Sequence, residues 1–171
     1  MLSMTPLDRR SLLGIAGATG IGLVFAGIGS SGSSAATRYR VAMSDADWRA
    51  KLGSARYDVL RREGTERAFN SPLLKEHRKG VFVCAGCDQK LYASSTKFES
   101  GTGWPSFFAA LPGATGHRTD SSFGIDRIEE HCSRCGGHLG HVFDDGPPPT
   151  GKRHCINGLS LKFMPSAGRT S

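Results

Sequence analysis

The feature that most constrains this chain is a pair of cysteine knuckles, Cys84-Ala85-Gly86-Cys87 and Cys132-Ser133-Arg134-Cys135. Two residues between cysteines let both sulfurs face one ion, and Zn²⁺ prefers a tetrahedron of thiolates. Gly86 and Gly136-Gly137 suit the tight backbone such knuckles need. The 44 residues between them exceed the usual zinc-ribbon spacing, so a shared ion would clip together two distant hairpins. Four thiolates leave no open coordination position, which makes the site structural. Disulfides are the competing reading in an exported protein. A redox-active Cys-x-x-Cys is a third, weakened by the absence of a strand-helix-strand context.

The fifth cysteine, Cys155, stands apart from the knuckles. Its neighbours are Arg153 and His154 before it and Asn157 two positions after. In an extended strand Cys155 and Asn157 project from one face. Cationic neighbours lower a thiol pKa, and the thiolate is the attacking form. A buried inert thiol is the plain alternative.

The first three dozen residues have a different texture. Arg9-Arg10 directly precedes the apolar, Gly-rich run Leu12–Gly29, and small residues follow up to Ala36. That order marks a cleavable export signal of the twin-arginine subtype over residues 1–36. A periplasmic protein is expected, or a membrane-anchored one if the leader is retained. Residues 37–44 form a linker, 45–164 one domain and 165–171 a flexible tail. The net charge is +7, but charges are mixed in sign along the chain and no basic stripe alternates with aromatics. Solvated faces are the better reading, and no nucleic-acid partner is expected.

From Ala42 to Gly64 the spacing predicts helix, with Ser44 as N-cap and Asp47 as its partner. Gly53 is expected to split it into two short helices. Beyond Gly80 short apolar runs alternate with turns: Val81–Cys84, Lys90–Tyr92, Ile125–Cys132, His138–Phe143, Arg153–Ile156 and Leu159–Phe163. The fold class is mainly β, two antiparallel sheets with short N-terminal helices.

Several stretches together resemble the methionine sulfoxide reductase B family: Val83–Cys87, Lys97–Phe107, His138–Pro147 and Arg153–Asn157, with Trp48 and Gly64–Arg67 also fitting. The resemblance runs from about Asp45 to Phe163. It implies two antiparallel sheets held by one structural Zn²⁺ on Cys84, Cys87, Cys132 and Cys135. The implied substrate is the R epimer of methionine sulfoxide, free or in oxidised proteins, in a monomer. Cys155 would be the nucleophile. His138, His141 and Asn157 would bind or protonate the sulfoxide oxygen, with Asp145 orienting His141. Trp104, helped by Phe107, would wall the pocket for the S-methyl group. His138 and His141 are three apart and would face opposite ways in a perfect strand, so a bulge near Gly140 is expected. His77, His117, His131 and His154 are read as ordinary histidines.

The chain departs from the family pattern twice. Many members carry a resolving cysteine where Thr102 stands here, so a thioredoxin-like or small-molecule thiol is expected to reduce Cys155 directly. Phe123 occupies a place where relatives often have histidine. The rival reading is a zinc-ribbon-like binding module without catalysis, which explains the knuckles and charge but not Cys155, the paired histidines or Trp104.

Overall fold

The computed structural model describes residues 39–122 and 124–167. The expected leader, Phe123 and the end of the tail lie outside the described residues. Among the described residues no helix is long and apolar enough to cross a membrane.

Helix α1 spans Asp45–Arg62. The Ser44 hydroxyl accepts from the Asp47 backbone N–H at 3.2 Å and donates to the Asp47 carboxylate at 2.6 Å, tying down one of the free donors of the first turn. Gly53 interrupts the helix with φ 69° and ψ 168°, a conformation that costs glycine least, so the expected two short helices are present. Trp48, Tyr57, Val59 and Leu60 are buried. Trp48 packs on the first knuckle, where a Cβ on Gly86 would lie 3.4 Å from its ring. Arg61 stacks on Trp48 and donates to the carbonyl of Cys135 at 2.9 Å. Helix α1 thus docks on the cysteine cluster.

Nine strands follow: β1 Gly80–Cys84, β2 Lys90–Ala93, β3 Lys97–Phe98, β4 Ser106–Phe107, β5 Thr115–Asp120, β6 Arg127–Cys132, β7 His138–Phe143, β8 Arg153–Ile156 and β9 Leu161–Pro165. They form two sheets, β2-β1-β9 and β3-β4-β8-β7-β6-β5, with every strand pair antiparallel. Two antiparallel sheets agree with the sequence reading, which lacked β3, β4 and β5. β5, Thr-Gly-His-Arg-Thr-Asp, is polar throughout and forms the sheet edge, where neither face alternation nor a hydrophobic run marks it.

Phe107 joins the two sheets. It is fully buried, stacks on Tyr92 of β2 at 4.3 Å and meets Phe82 of β1 edge-on at 4.9 Å. Burial of such a ring contributes about 1.5–3 kcal/mol. This corrects the expectation that Phe107 helps wall the substrate pocket. Phe107 pairs with His154, whereas its neighbour Ser106 pairs with Cys155. Successive strand residues point to opposite faces, so Phe107 turns into the core.

Candidate active site and metal centre

The knuckles meet where one hairpin from each sheet converges. Cys84 ends β1 and Cys132 ends β6. Each is followed by the same tight turn. The Asp88 N–H donates to the Cys84 carbonyl at 3.0 Å and the Gly136 N–H to the Cys132 carbonyl at 2.8 Å. Asp88 and Gly136, each directly after the second cysteine, both carry positive φ. All four thiols are buried and unbridged, and their sulfurs lie within 4.8 Å of one another. Cross-knuckle separations are 3.7 Å for Cys84–Cys135 and 3.5 Å for Cys87–Cys132. A tetrahedral thiolate site with metal–sulfur bonds of about 2.3 Å has edges of about 3.8 Å. The four cysteines are arranged to bind a metal ion.

Cys155 is not part of this cluster. It lies on β8 between β4 and β7, half-buried, with Ser106 as its register partner on one side and His141 on the other. A recess of about 100 Å³ opens over it, lined by Thr65, Trp104, Arg127, His141, Phe143 and Asn157. The structure therefore brings together four of the expected residues, Cys155, His141, Asn157 and Trp104. Beyond the Gly64–Arg67 match, nothing in the sequence marked Thr65 as part of the site. Arg127 and Phe143 were also missed, being a charge and an aromatic on strands whose facing was undetermined.

A bulge gives His138 and His141 a common face. Glu130 pairs with Gly140 and His131 with His138, so β7 carries one extra residue, Leu139, between those pairs. Their rings lie 5.5 Å apart edge to face. Gly140 is required there because a Cβ on it would lie 2.0 Å from the Cys155 carbonyl oxygen. His138 lines an adjoining cavity of about 310 Å³ shared with His141 and Thr65. Its Nδ1 bonds Glu129 at 2.7 Å, and its buried Nε2 has no hydrogen-bond partner among the described residues.

His141 has a carboxylate partner, but not the expected one. Its Nε2 is 2.7 Å from Asp120 of β5. Asp145 instead accepts from Arg153 through both oxygens, each at 2.8 Å. The expectation that Asp145 orients His141 is thereby corrected. Arg153 and Asp145 straddle the turn between β7 and β8, and the planar guanidinium fork suits a two-point pair, whereas Asp120 lies on β5, a strand that no sequence pattern marks. Burial holds the His141 imidazole below its ordinary pKa, against an opposing pull from Asp120. Asp120 is itself held well below the usual carboxylate range by the Ser122 hydroxyl and backbone N–H and by His141. Arg153 is raised first by Asp145 and also by its proximity to Cys155, which places the expected cation near the sulfur.

The amide of Asn157 is fixed at both ends. Its Oδ1 accepts from the Glu66 N–H at 3.0 Å and its Nδ2 donates to the Leu139 carbonyl at 3.1 Å. One of the two Nδ2 hydrogens remains for another acceptor. Glu66 was not anticipated as a positioning residue. Its carbonyl also accepts from Trp104 Nε1 at 3.1 Å, and its carboxylate caps the backbone N–H groups of Gly158 and Leu159. Thr102 reaches Cys155 directly, with its hydroxyl 3.8 Å from Sγ. Ser100 links that hydroxyl to Ser106 at 2.8 and 2.7 Å.

Comparison with known proteins agrees with this geometry. Residues 52–165 match the family described as the SelR domain. The chain is 52% identical over 130 residues to a protein of Agrobacterium fabrum named peptide methionine sulfoxide reductase MsrB, covering 75% of this chain and 96% of that one. Proteins of the same name from Leptospira interrogans and Methanosarcina barkeri are 53% and 52% identical, over 74% and 72% of this chain and 97% and 87% of their own. The chain belongs to the methionine sulfoxide reductase B family.

Proposed function

We propose that this protein is a peptide-methionine (R)-S-oxide reductase whose nucleophile is Cys155. The observation that carries the reading is the recess in which one metal-free thiol faces an imidazole, an indole and a fixed carboxamide. Trp104 and Phe143 supply apolar walls for the S-methyl end of the substrate. Asn157 and His141 supply polar groups for its oxygen.

The Cys155 thiolate attacks the sulfoxide sulfur while the oxygen takes up a proton. His141 is the donor, since oxide cannot leave unprotonated and an imidazolium within reach acts as general acid. Asp120 holds the ring and favours its charged form. Methionine departs and Cys155 is left as a sulfenic acid, two electrons having passed from sulfur to sulfoxide. With the other four thiols gathered in the metal centre, the return half uses an external thiol. A first thiol displaces water to give a mixed disulfide, and a second releases Cys155 as the thiol together with an external disulfide. Thr102 in place of a sulfur at the nucleophile supports this route.

Cys84, Cys87, Cys132 and Cys135 hold Zn²⁺ in a closed structural site. The ion supplies a cross-link between the two sheets and takes no part in the reaction. Residues 1–36 carry the chain across the cytoplasmic membrane by the twin-arginine route, which admits folded proteins and so lets metal be loaded beforehand. The support for this is the Arg9-Arg10 pair ahead of an apolar run.

The test is reduction of separated R and S epimers of a methionine sulfoxide peptide with excess dithiothreitol. Turnover of the R epimer alone, lost in Cys155→Ser, is expected. Undiminished turnover in Cys155→Ser would overturn the assignment.

A further inference from the structure

The face of the larger sheet opposite Cys155 carries three metal-binding side chains that the reaction does not use. His117 of β5 and Glu130 of β6 are direct register partners, and His117 Nε2 lies 3.6 Å from Glu130 Oε1. His154 of β8 brings Nδ1 to 3.0 and 2.9 Å from the two carboxylate oxygens. It reaches them across β7, where the register partner of Glu130 is Gly140, a residue with no side chain to intervene. One ligand atom from each residue falls within 4.8 Å of the other two.

These separations match a coordination sphere. Zn²⁺ bonds to imidazole nitrogen and carboxylate oxygen are about 2.0–2.2 Å, which puts neighbouring ligand atoms of a tetrahedron about 3.3 Å apart. The two spacings to Glu130, 2.9 and 3.6 Å, lie on either side of that value, and the two imidazole nitrogens lie within 4.8 Å of each other. The carboxylate is fully buried, and His117 is 46% exposed, so an ion has an entrance from solvent at the sheet edge. An independent sign comes from Tyr92. Its ring meets His154 edge-on at 5.9 Å, and its fully buried hydroxyl has no hydrogen-bond partner among the described residues. An unpartnered donor beside a carboxylate is what a metal-bound water would satisfy.

We propose that His117, Glu130 and His154 form a second metal site, separate from the four-cysteine centre, that takes a divalent first-row transition ion such as Zn²⁺. Two imidazoles and one carboxylate leave the fourth position open, and Tyr92 donates to the ligand that fills it. The site is insulated from the sulfur chemistry, because His154 and Cys155 are consecutive on one strand and point to opposite faces.

Co²⁺ serves as the probe, added to the full chain brought to one Zn²⁺ per molecule, so that the four-cysteine centre is filled and the histidine site is open. Wild type is expected to take up one equivalent that gives weak ligand-field absorption without the intense thiolate-to-cobalt band of a cysteine site. His117→Ala, a change at an exposed edge position, should lose that equivalent while keeping its circular dichroism and its reductase activity. Tyr92→Phe should keep the equivalent but with an altered visible spectrum. A wild type that binds no Co²⁺ outside the four-cysteine centre would overturn the proposal. So would an equivalent retained in His117→Ala.

Discussion

His141 and Cys155 stand directly opposite each other on neighbouring antiparallel strands. The distance between imidazole and sulfur is therefore set by the ladder of β7 and β8 and not by a loop. Opposed residues in such a pair have Cβ atoms about 4.5–5.5 Å apart, leaving a gap in which a sulfoxide group can bridge sulfur and nitrogen. On this arrangement the proposed donor, His141, is fixed before substrate arrives.

Replacing His141 with Gln keeps a hydrogen-bond donor but removes the titrating proton. The expected result is a fall in kcat of about 10²–10⁴-fold, the range for loss of a general acid, with KM changed much less. Steady-state kinetics with an R-sulfoxide peptide and dithiothreitol give both constants. A loss under tenfold would remove His141 from the proton-donating role.

Asp120 sharpens that test through pH. Its carboxylate pulls the His141 pKa up against burial, which holds it low. Asp120→Asn removes the upward pull, so the imidazole titrates at still lower pH. The protonated donor is lost as pH rises through that pKa, so the alkaline limb of kcat moves to lower pH in the variant. Activity at neutral pH falls and is partly restored on acidification. A limb that stays in place while activity drops would mean Asp120 acts only on structure.

Much of this site was legible because its residues lie in short motifs with chemical meaning. Cys155, Asn157 and the four knuckle cysteines follow from spacing and strand alternation. The bulge between His138 and His141 follows from the family resemblance, which requires both at one site. Asp120 was not legible, since it lies on a polar edge strand and its partner is 21 residues away in sequence. Asp145 was misread for the same reason in reverse. It is near His141 in the chain, but the pairing of β7 with β8 hands it to Arg153. Phe107 lies beside a motif residue, and one step along a strand reverses its direction. Glu66 meets Asn157 and Trp104 through its backbone, which a side-chain pattern does not reveal.

Thr102→Cys should convert the regeneration route. The hydroxyl it replaces is 3.8 Å from Cys155 Sγ, and Gly101 before it has open space on its side, so a modest shift of the loop closes the gap to a bond of about 2.05 Å. One turnover with an R-sulfoxide and no added thiol should leave the introduced sulfur joined to Cys155 as an intramolecular disulfide. Wild type should instead hold a sulfenic acid. Mass spectrometry with and without a sulfenic-acid trap separates the two. A variant that still accumulates trappable sulfenic acid would contradict the proposed proximity.

Gly140→Ala tests the close approach of β7 and β8. A Cβ at this position would lie 2.0 Å from the Cys155 carbonyl oxygen and 3.0 Å from its carbon. Backbone cannot swing aside as a side chain can, so the strands must part. A cost of at least about 1–3 kcal/mol is expected, as for overpacking in a tight interior. Since the strain falls on Cys155 itself, kcat should drop together with Tm. Thermal unfolding and kinetics on one preparation check this. A variant with unchanged Tm and activity would show that the strands are not held so closely.

Metal removal would separate the proposed structural role of an ion at the four cysteines from the chemistry. The four-cysteine centre ties the β1–β2 turn to the β6–β7 turn, one from each sheet, and α1 packs on it through Trp48 and Arg61. Structural zinc contributes about 10–16 kcal/mol in small zinc-finger peptides, while whole domains are stable by only about 5–15 kcal/mol. Withdrawal of the ion should therefore unfold this domain or lower its Tm steeply. Cys132→Ser, which removes one ligand, should behave in the same way. Cys155→Ser should abolish reduction yet leave both Tm and the bound zinc as in wild type. Calorimetry with metal analysis on the three proteins distinguishes the roles. A metal-depleted protein that melts at the wild-type temperature would show that packing between the sheets is sufficient without the ion.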